Sequence, residues 1–404
     1  MYYPTIKNIK DAKKLLQTIL KDTPLELHND LSLKHNTNVY LKREDLTPVR
    51  SYKIRGAYNK MFGIPIHNSI VTCSAGNHAQ GVAYSCKRLG IKGNIFMPIT
   101  TPQQKIKKVE DFGKEYINIV LQGKTFDECY NLANTYAIQN SLEFIHPFDD
   151  AKVIEGQGTV GLEILEQLQV PLDYIFLPIG GGGLAAGVSA YIREMSPHTK
   201  IIGVEPSTAA SMFTSILQDT VVTLDKISTF VDGASVKKVG NLNFSICRKN
   251  LDRVLLIDEG HVCSKILQMY NESGYIIEPA GVLTLCALDI LNVKNKNVVC
   301  VISGGNSDVF RMPEILERSL IYEGRKHYFR IEFPQKAGSL KNFIMNVLGE
   351  NDDIIYFRYT KVINKEMGPV ILGIETSKED ITILLNNMKK HDIMYEILKH
   401  SDIY

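Results

Sequence analysis

The chain carries almost no net charge. Its 46 lysines and arginines stand against 44 acidic residues, a formal charge of +2, so no electrostatic pull toward nucleic acid is expected. It lacks any run of about 18 apolar residues, and no helical membrane span is expected. Its seven cysteines are odd in number, and none forms a C-x-x-C pair. They sit mostly in apolar stretches and read as reduced core thiols in a reducing compartment, which places the protein in the cytoplasm. Internal repeats and low-complexity segments are also missing. What remains is ordinary globular material, 44% hydrophobic and 22% charged, and a length of 404 residues that suits two or three domains. The stretch from Tyr3 to Leu20 sets Ile9, Ala12, Leu15, Leu16 and Ile19 at helical spacing among lysines. With Asp11 inside it and no apolar signal core, it reads as a structural amphipathic helix and not as a targeting peptide.

From Asn38 to about Ser319, short β-type runs alternate with longer helical patterns. Strands are expected at Asn38–Leu41, near Ile70 and at Asn94–Met97, Ile117–Leu121, Tyr174–Leu177, Lys200–Val204, Val254–Ile257 and Val298–Ile302, an alternation that implies crossover units and parallel sheets. Beyond Tyr322 the texture changes. Strands at His327–Phe333, Ile354–Lys361, Val370–Thr376 and Tyr395–Leu398, with helices at Ser339–Leu348 and Lys378–Lys390, give the order βαββαβ, a ferredoxin-like module of about 75 residues. The second and third strands join through Asn364 to Gly368.

Four segments carry chemistry. Ser51-Tyr52-Lys53-Ile54-Arg55-Gly56 puts a lysine at the start of a helix, where burial and neighbouring dipoles can lower the charge of its amine and make it both an anchor for an aldehyde cofactor and a base. Ser74-Ala75-Gly76-Asn77-His78, Gly180-Gly181-Gly182-Gly183-Leu184 and Ser303-Gly304-Gly305-Asn306 each follow an apolar strand. In open α/β sheets, ligands collect at the carboxyl ends of strands. Consecutive glycines opening a helix cradle a phosphate through bare N–H groups, and a dinucleotide or another phosphate compound would fit the loop equally well. Alone, the Asn77 loop reads as a helix cap.

Together with KREDLTPVRSYKIRGAY, EGQGT, GVEP and EPAG, these segments fall in one order, and the chain resembles the fold-type II pyridoxal-phosphate enzymes, among them the biosynthetic threonine ammonia-lyases (threonine dehydratases). Tyr52 and Ile54 depart from the commoner phenylalanine and leucine without altering the chemistry. The resemblance implies a two-lobed α/β catalytic domain over residues 1–322, with a small lobe at about 56–147 inserted in a larger one. Gly338-Ser339-Leu340, Asn351-Asp352-Asp353 and Gly368-Pro369 are similar to the ACT-like regulatory domain of those enzymes, giving a second domain over 326–404.

By the same resemblance, Lys53 carries pyridoxal 5'-phosphate and Asn77 bonds its ring hydroxyl. Gly180, Gly181, Gly182, Gly183 and Leu184 take its phosphate, and Ser303 faces its ring nitrogen. A neutral hydroxyl at that nitrogen, in place of an acid, makes the ring a weaker electron sink and favours loss of a β-substituent over transamination. The backbone of Ser74, Ala75, Gly76, Asn77 and His78 takes the substrate carboxylate, while the His78 ring is structural. L-threonine is the implied substrate, isoleucine and valine the implied effectors, and a homo-oligomer, a tetramer, the implied assembly. No metal is expected; Glu205 and Glu278, where some relatives bind a cation, read as helix caps or salt-bridge partners. Serine dehydratase, serine racemase and threonine synthase share many of these loops, and an amino-acid sensor with a dead catalytic lobe is a further alternative.

Overall fold

The computed structural model describes residues 2–359, 366–377 and 380–398. The chain divides into two compact units, one of Met1–Glu259 with Met269–Ser307 and one of Gly260–Gln268 with Asp308–Tyr404. The Met312–Tyr322 helix thus groups with the C-terminal unit.

In the first unit the strands in chain order are β1 (Leu25–Leu27), β2 (Asn38–Arg43), β3 (Ile70–Cys73), β4 (Gly93–Met97), β5 (Ile117–Leu121), β6 (Glu143–Phe144), β7 (Tyr174–Pro178), β8 (Lys200–Pro206), β9 (Arg253–Ile257) and β10 (Asn297–Ile302). They form two sheets, β1-β2-β10-β7-β8-β9 and β5-β4-β3-β6. Every pairing is parallel except β1 with β2. The expected parallel strands are all present. The two that sequence reading missed, β1 and β6, are three and two residues long, too short to show a period. Central strands such as Val298–Ile302 are buried on both faces, which is why they read as continuous apolar runs.

The four chemistry-bearing segments all leave the carboxyl ends of strands: Lys53 beyond β2, Ser74 after β3, Gly180 after β7 and Ser303 after β10. The Lys53–Met61 helix lies hard against the Ala151–Gln167 helix, because a Cβ on Gly156 would sit 2.5 Å from the carbonyl oxygen of Arg55. A buried ionic cluster keys these helices together. Arg55 bonds Glu44 through Nε at 2.7 Å and Glu163 through Nη1 at 2.6 Å, while Lys42 and Lys13 reach Glu163 at 2.7 and 2.6 Å. Burial pushes the Glu163 carboxyl upward, but the Arg55 guanidinium and Lys42 overcome it and hold it well below the usual carboxylate range. The N-terminal helix runs Ile6–Leu16 with Ile9, Ala12 and Leu16 buried. Its Lys13 also turns inward, drawn by Glu163.

In the second unit, β11 (Lys326–Pro334), β12 (Asp353–Tyr359), β13 (Met367–Glu375) and β14 (Tyr395–Ile397) form an antiparallel sheet in the order β12-β13-β11-β14. Helices Ser339–Asn346 and Asp380–Lys390 complete the βαββαβ order. Alternate residues Phe329, Ile331 and Phe333 on β11 and Val370, Leu372 and Ile374 on β13 meet Phe343, Leu384 and Met388 in one core. Lys361, Asn364 and Lys378, named above at element ends, lie outside the described residues. All seven cysteines are buried and none is in a disulfide. Among the described residues, no helix is long and apolar enough to cross a membrane.

Candidate active site

Lys53 is the first residue of its helix. Its Nζ donates to the carbonyl oxygen of Pro147 at 2.8 Å and lies 6.0 Å from the centre of the Phe148 ring. Burial, only partly opposed by the Glu278 carboxylate, lowers its pKa to about 8. Ser303 is tied to the same place through the backbone: the Tyr52 N–H donates to the Ser303 carbonyl at 3.1 Å, and Ser51 forms an antiparallel bridge with Gly304.

The tetraglycine loop also packs against Phe148. A Cβ on Gly181 would lie 2.3 Å from that ring, and one on Gly183 would lie 3.0 Å from the Phe148 carbonyl oxygen. Gly180 ends the turn out of β7, and Gly182 stands at the N-cap of the helix Gly183–Met195, where no side chain caps the free N–H groups of Gly183 and Leu184. The helix Asn77–Leu89 also begins without a side-chain cap, at Gly76, so the Ser74-Ala75-Gly76 turn leads straight into a second bare N-terminus. The expected Asn77 cap is absent for a reason: its side chain points elsewhere. Asn77 Nδ2 donates to both oxygens of Glu278 at 2.9 Å, and its Oδ1 accepts from Asn306 Nδ2 at 2.8 Å.

Glu278 corrects the sequence reading, which made it a cap or a salt-bridge partner. It stands at the N-cap of the Pro279–Ile290 helix but makes no cap bond; instead its carboxylate takes Asn77 and the Asn306 N–H. Burial pushes it up to about 7, against the lowering effect of Asn77. Glu205 is a helix cap, accepting from Met212 and Phe213 N–H at 2.8 Å each. The His78 ring donates through Nε2 to Ile145 O at 3.0 Å, and its Nδ1 has no partner. Burial first and the Lys53 charge second push it down to about 3, so the ring is neutral. Among the described residues no group of three or more His, Cys, Asp or Glu side chains could hold a metal ion.

The structure therefore brings Lys53, Ser303, Asn77 and the two bare helix ends into one neighbourhood. Sequence reasoning missed the segment that joins them, His146-Pro147-Phe148-Asp149. The only hint was its position just ahead of the EGQGT segment.

A family profile described as pyridoxal-phosphate dependent enzyme matches residues 16–304, and one described as the C-terminal regulatory domain of threonine dehydratase matches residues 317–404. The chain is 50% identical to the biosynthetic L-threonine dehydratase of Halalkalibacterium halodurans, covering 99% of this chain and 98% of that protein. Against the protein of the same name from Bacillus subtilis it is 50% identical over 99% and 96%. The processed form of threonine deaminase isoform 2 from Solanum lycopersicum superposes with a TM-score of 0.75 at 37% identity, over 80% of this chain and 91% of that one. A serine racemase from Dictyostelium discoideum superposes with a TM-score of 0.69 at 31% identity, over 76% and 99%.

Proposed function

We propose, from the premise that the chain belongs to the pyridoxal-phosphate-dependent enzymes and within them to the biosynthetic threonine dehydratases, that it converts L-threonine to 2-oxobutanoate and ammonia by β-elimination of water. The observation that carries the reading is the Lys53 amine, depressed to about 8 and set between two helix N-termini that no side chain caps. One such end suits a phosphate and the other a carboxylate.

When bound, pyridoxal phosphate supplies the electron sink that makes the α-proton acidic. Lys53 would anchor it and then, once unprotonated, its pKa lowered to about 8, would take the α-proton, a transfer typically worth about 10² to 10⁴-fold in rate. Gly180–Gly183 and Leu184 would hold the phosphate with backbone N–H groups. Ser74, Ala75, Gly76, Asn77 and His78 would hold the substrate carboxylate the same way, and Ser303 would offer the ring nitrogen a neutral hydroxyl that does not charge it. Glu278 and Asn306 fix the plane of the Asn77 amide. One N–H directed between the two carboxylate oxygens accounts for both contacts, and the second N–H would be available to the cofactor. The β-hydroxyl would leave protonated, so that the α-proton and the departing hydroxyl together make up the one molecule of water eliminated, and hydrolysis of the resulting enamine would release 2-oxobutanoate and ammonia.

Residues 1–322 are assigned to catalysis and 326–404 to regulation. Isoleucine as inhibitor and valine as its opponent belong to the same proposal, supported by the match of residues 317–404 to a regulatory domain and by the ferredoxin-like order of β11–β14, and a tetrameric assembly is proposed with them on the resemblance alone. The test is 2-oxo-acid release from L-threonine and L-serine, with and without isoleucine and valine. Turnover of L-serine with none of L-threonine would replace this reading with the serine dehydratase alternative.

A further inference from the structure

The stretch between β6 and the Ala151–Gln167 helix touches both halves of the site. The Pro147 carbonyl receives the Lys53 amine at 2.8 Å, and the Phe148 ring occupies the space that a Cβ on Gly181 would need. Its own shape is set by one side chain. His146 Nδ1 accepts from the Asp149 N–H at 2.8 Å and from the Phe148 N–H at 3.2 Å. A nitrogen that accepts two N–H groups carries no proton, so the imidazole is neutral with its hydrogen on Nε2. The ring is held edge-on by Phe148, Tyr130 and Phe144, with centroids 4.7, 6.0 and 6.4 Å away. Burial, the largest influence, pushes its pKa down to about 4, with Asp149 opposing.

The bonds continue outward from there. Asp149 accepts from the Asn241 and Leu242 N–H groups at 2.9 Å each, capping the helix Asn241–Asn250. From that helix, Asn243 Nδ2 reaches the carbonyls of Phe148 and Gly181 at 3.0 and 2.8 Å, and the Gly240 N–H reaches Gly181 O at 3.1 Å. These hydrogen bonds and the 147–149 backbone between them thus join His146 to Lys53 on one side and to the tetraglycine loop on the other.

We propose that His146 is a positioning residue: by turning the 147–149 backbone around its bare Nδ1, it aims the Pro147 carbonyl at the Lys53 amine and seats Phe148 against the phosphate loop. The inference rests on the assignment of the cofactor to Lys53. One ring then sets both the reactive amine and the cradle for the cofactor's phosphate, although it touches neither.

Asparagine and glutamine separate this role from simple packing. The Asn oxygen stands as many bonds from Cα as Nδ1 does and can take both N–H groups, whereas the Gln oxygen falls near the place of Nε2. In the full-length holoenzyme, His146→Gln should loosen cofactor binding by about 30-fold, as expected for loss of two net hydrogen bonds of about 1 kcal/mol each. It should also displace the near-visible absorbance of the lysine-bound cofactor, while circular dichroism stays native. His146→Asn should restore the absorbance and most of the affinity. A folded Gln variant with wild-type absorbance and affinity overturns the proposal, as does equal impairment of both variants. If the Gln variant does not fold, a folded Asn variant that loses the cofactor decides against it. Borohydride mapping of the wild type keeps the two readings apart, since a label on another lysine sinks the function assignment and a label on Lys53 leaves only His146 at issue.

Discussion

Gly181→Ala is the smallest change that interrogates the phosphate loop. The added methyl would lie 2.3 Å from two carbons of the Phe148 ring and 2.5 Å from a third, where carbon atoms normally rest about 3.5 Å apart. The ring must therefore retreat by about 1.2 Å. It has little freedom to do so, because its N–H is bonded to His146 and its carbonyl to Asn243. Overpacking of this kind costs about 1 to 3 kcal/mol. If the strain is borne by the loop that must close on the phosphate, cofactor affinity falls by about 5- to 150-fold, at 1.4 kcal/mol per factor of ten. Titration of the apoprotein with pyridoxal phosphate, followed by absorbance, measures it. The control is the double variant with Phe148→Ala, in which the cavity admits the methyl and the penalty should largely disappear. Unchanged affinity in Gly181→Ala, or an identical penalty with and without the Phe148 ring, refutes the reasoning.

Lys53 should be charged below about pH 8 and a free amine above it, so recombination of the apoprotein with pyridoxal phosphate should accelerate as pH rises through 8. A midpoint at an ordinary lysine's value in the stopped-flow profile would argue against a buried amine. Arg55→Met leaves Glu44 and Glu163 buried without their main partner, a loss of about 3 to 5 kcal/mol that calorimetry should register as a clear drop in melting temperature; an unmoved transition would show the cluster to be ornamental. Truncation after Glu323 should retain threonine deamination and lose its response to isoleucine, and inhibition that survives the truncation would put the effector in the catalytic crevice.

Strands buried on both faces, such as β7 and β10, were legible because a parallel sheet forces an unbroken apolar run, and Gly180–Gly183 because four glycines after such a run have few other uses. The ferredoxin-like order of the second unit was legible through the plain alternation of Phe329, Ile331 and Phe333. The cross-chain partnerships were not. Glu278 sits where a helix cap would, and only the folded chain brings Asn77 within 2.9 Å of its carboxylate. Pro147 acts through a backbone carbonyl, which no side-chain pattern advertises. His146 is a lone histidine whose two bonds go to its own next neighbours, and composition cannot tell such a ring from any other. Lys13 likewise falls at the edge of the helical stripe, and its buried contact with Glu163 comes from a helix far along the chain.

The burial of every cysteine has a practical consequence. All seven lie in the stretch from Cys73 to Cys300, so the sheet of β11–β14 is naturally thiol-free. A maleimide dye has no accessible native target in the folded chain, and a cysteine introduced at an exposed site such as Leu33 or Met345 becomes the sole handle without any native cysteine having to be removed. One dye at either position would mark one unit of the chain while its active site and core remain wild type.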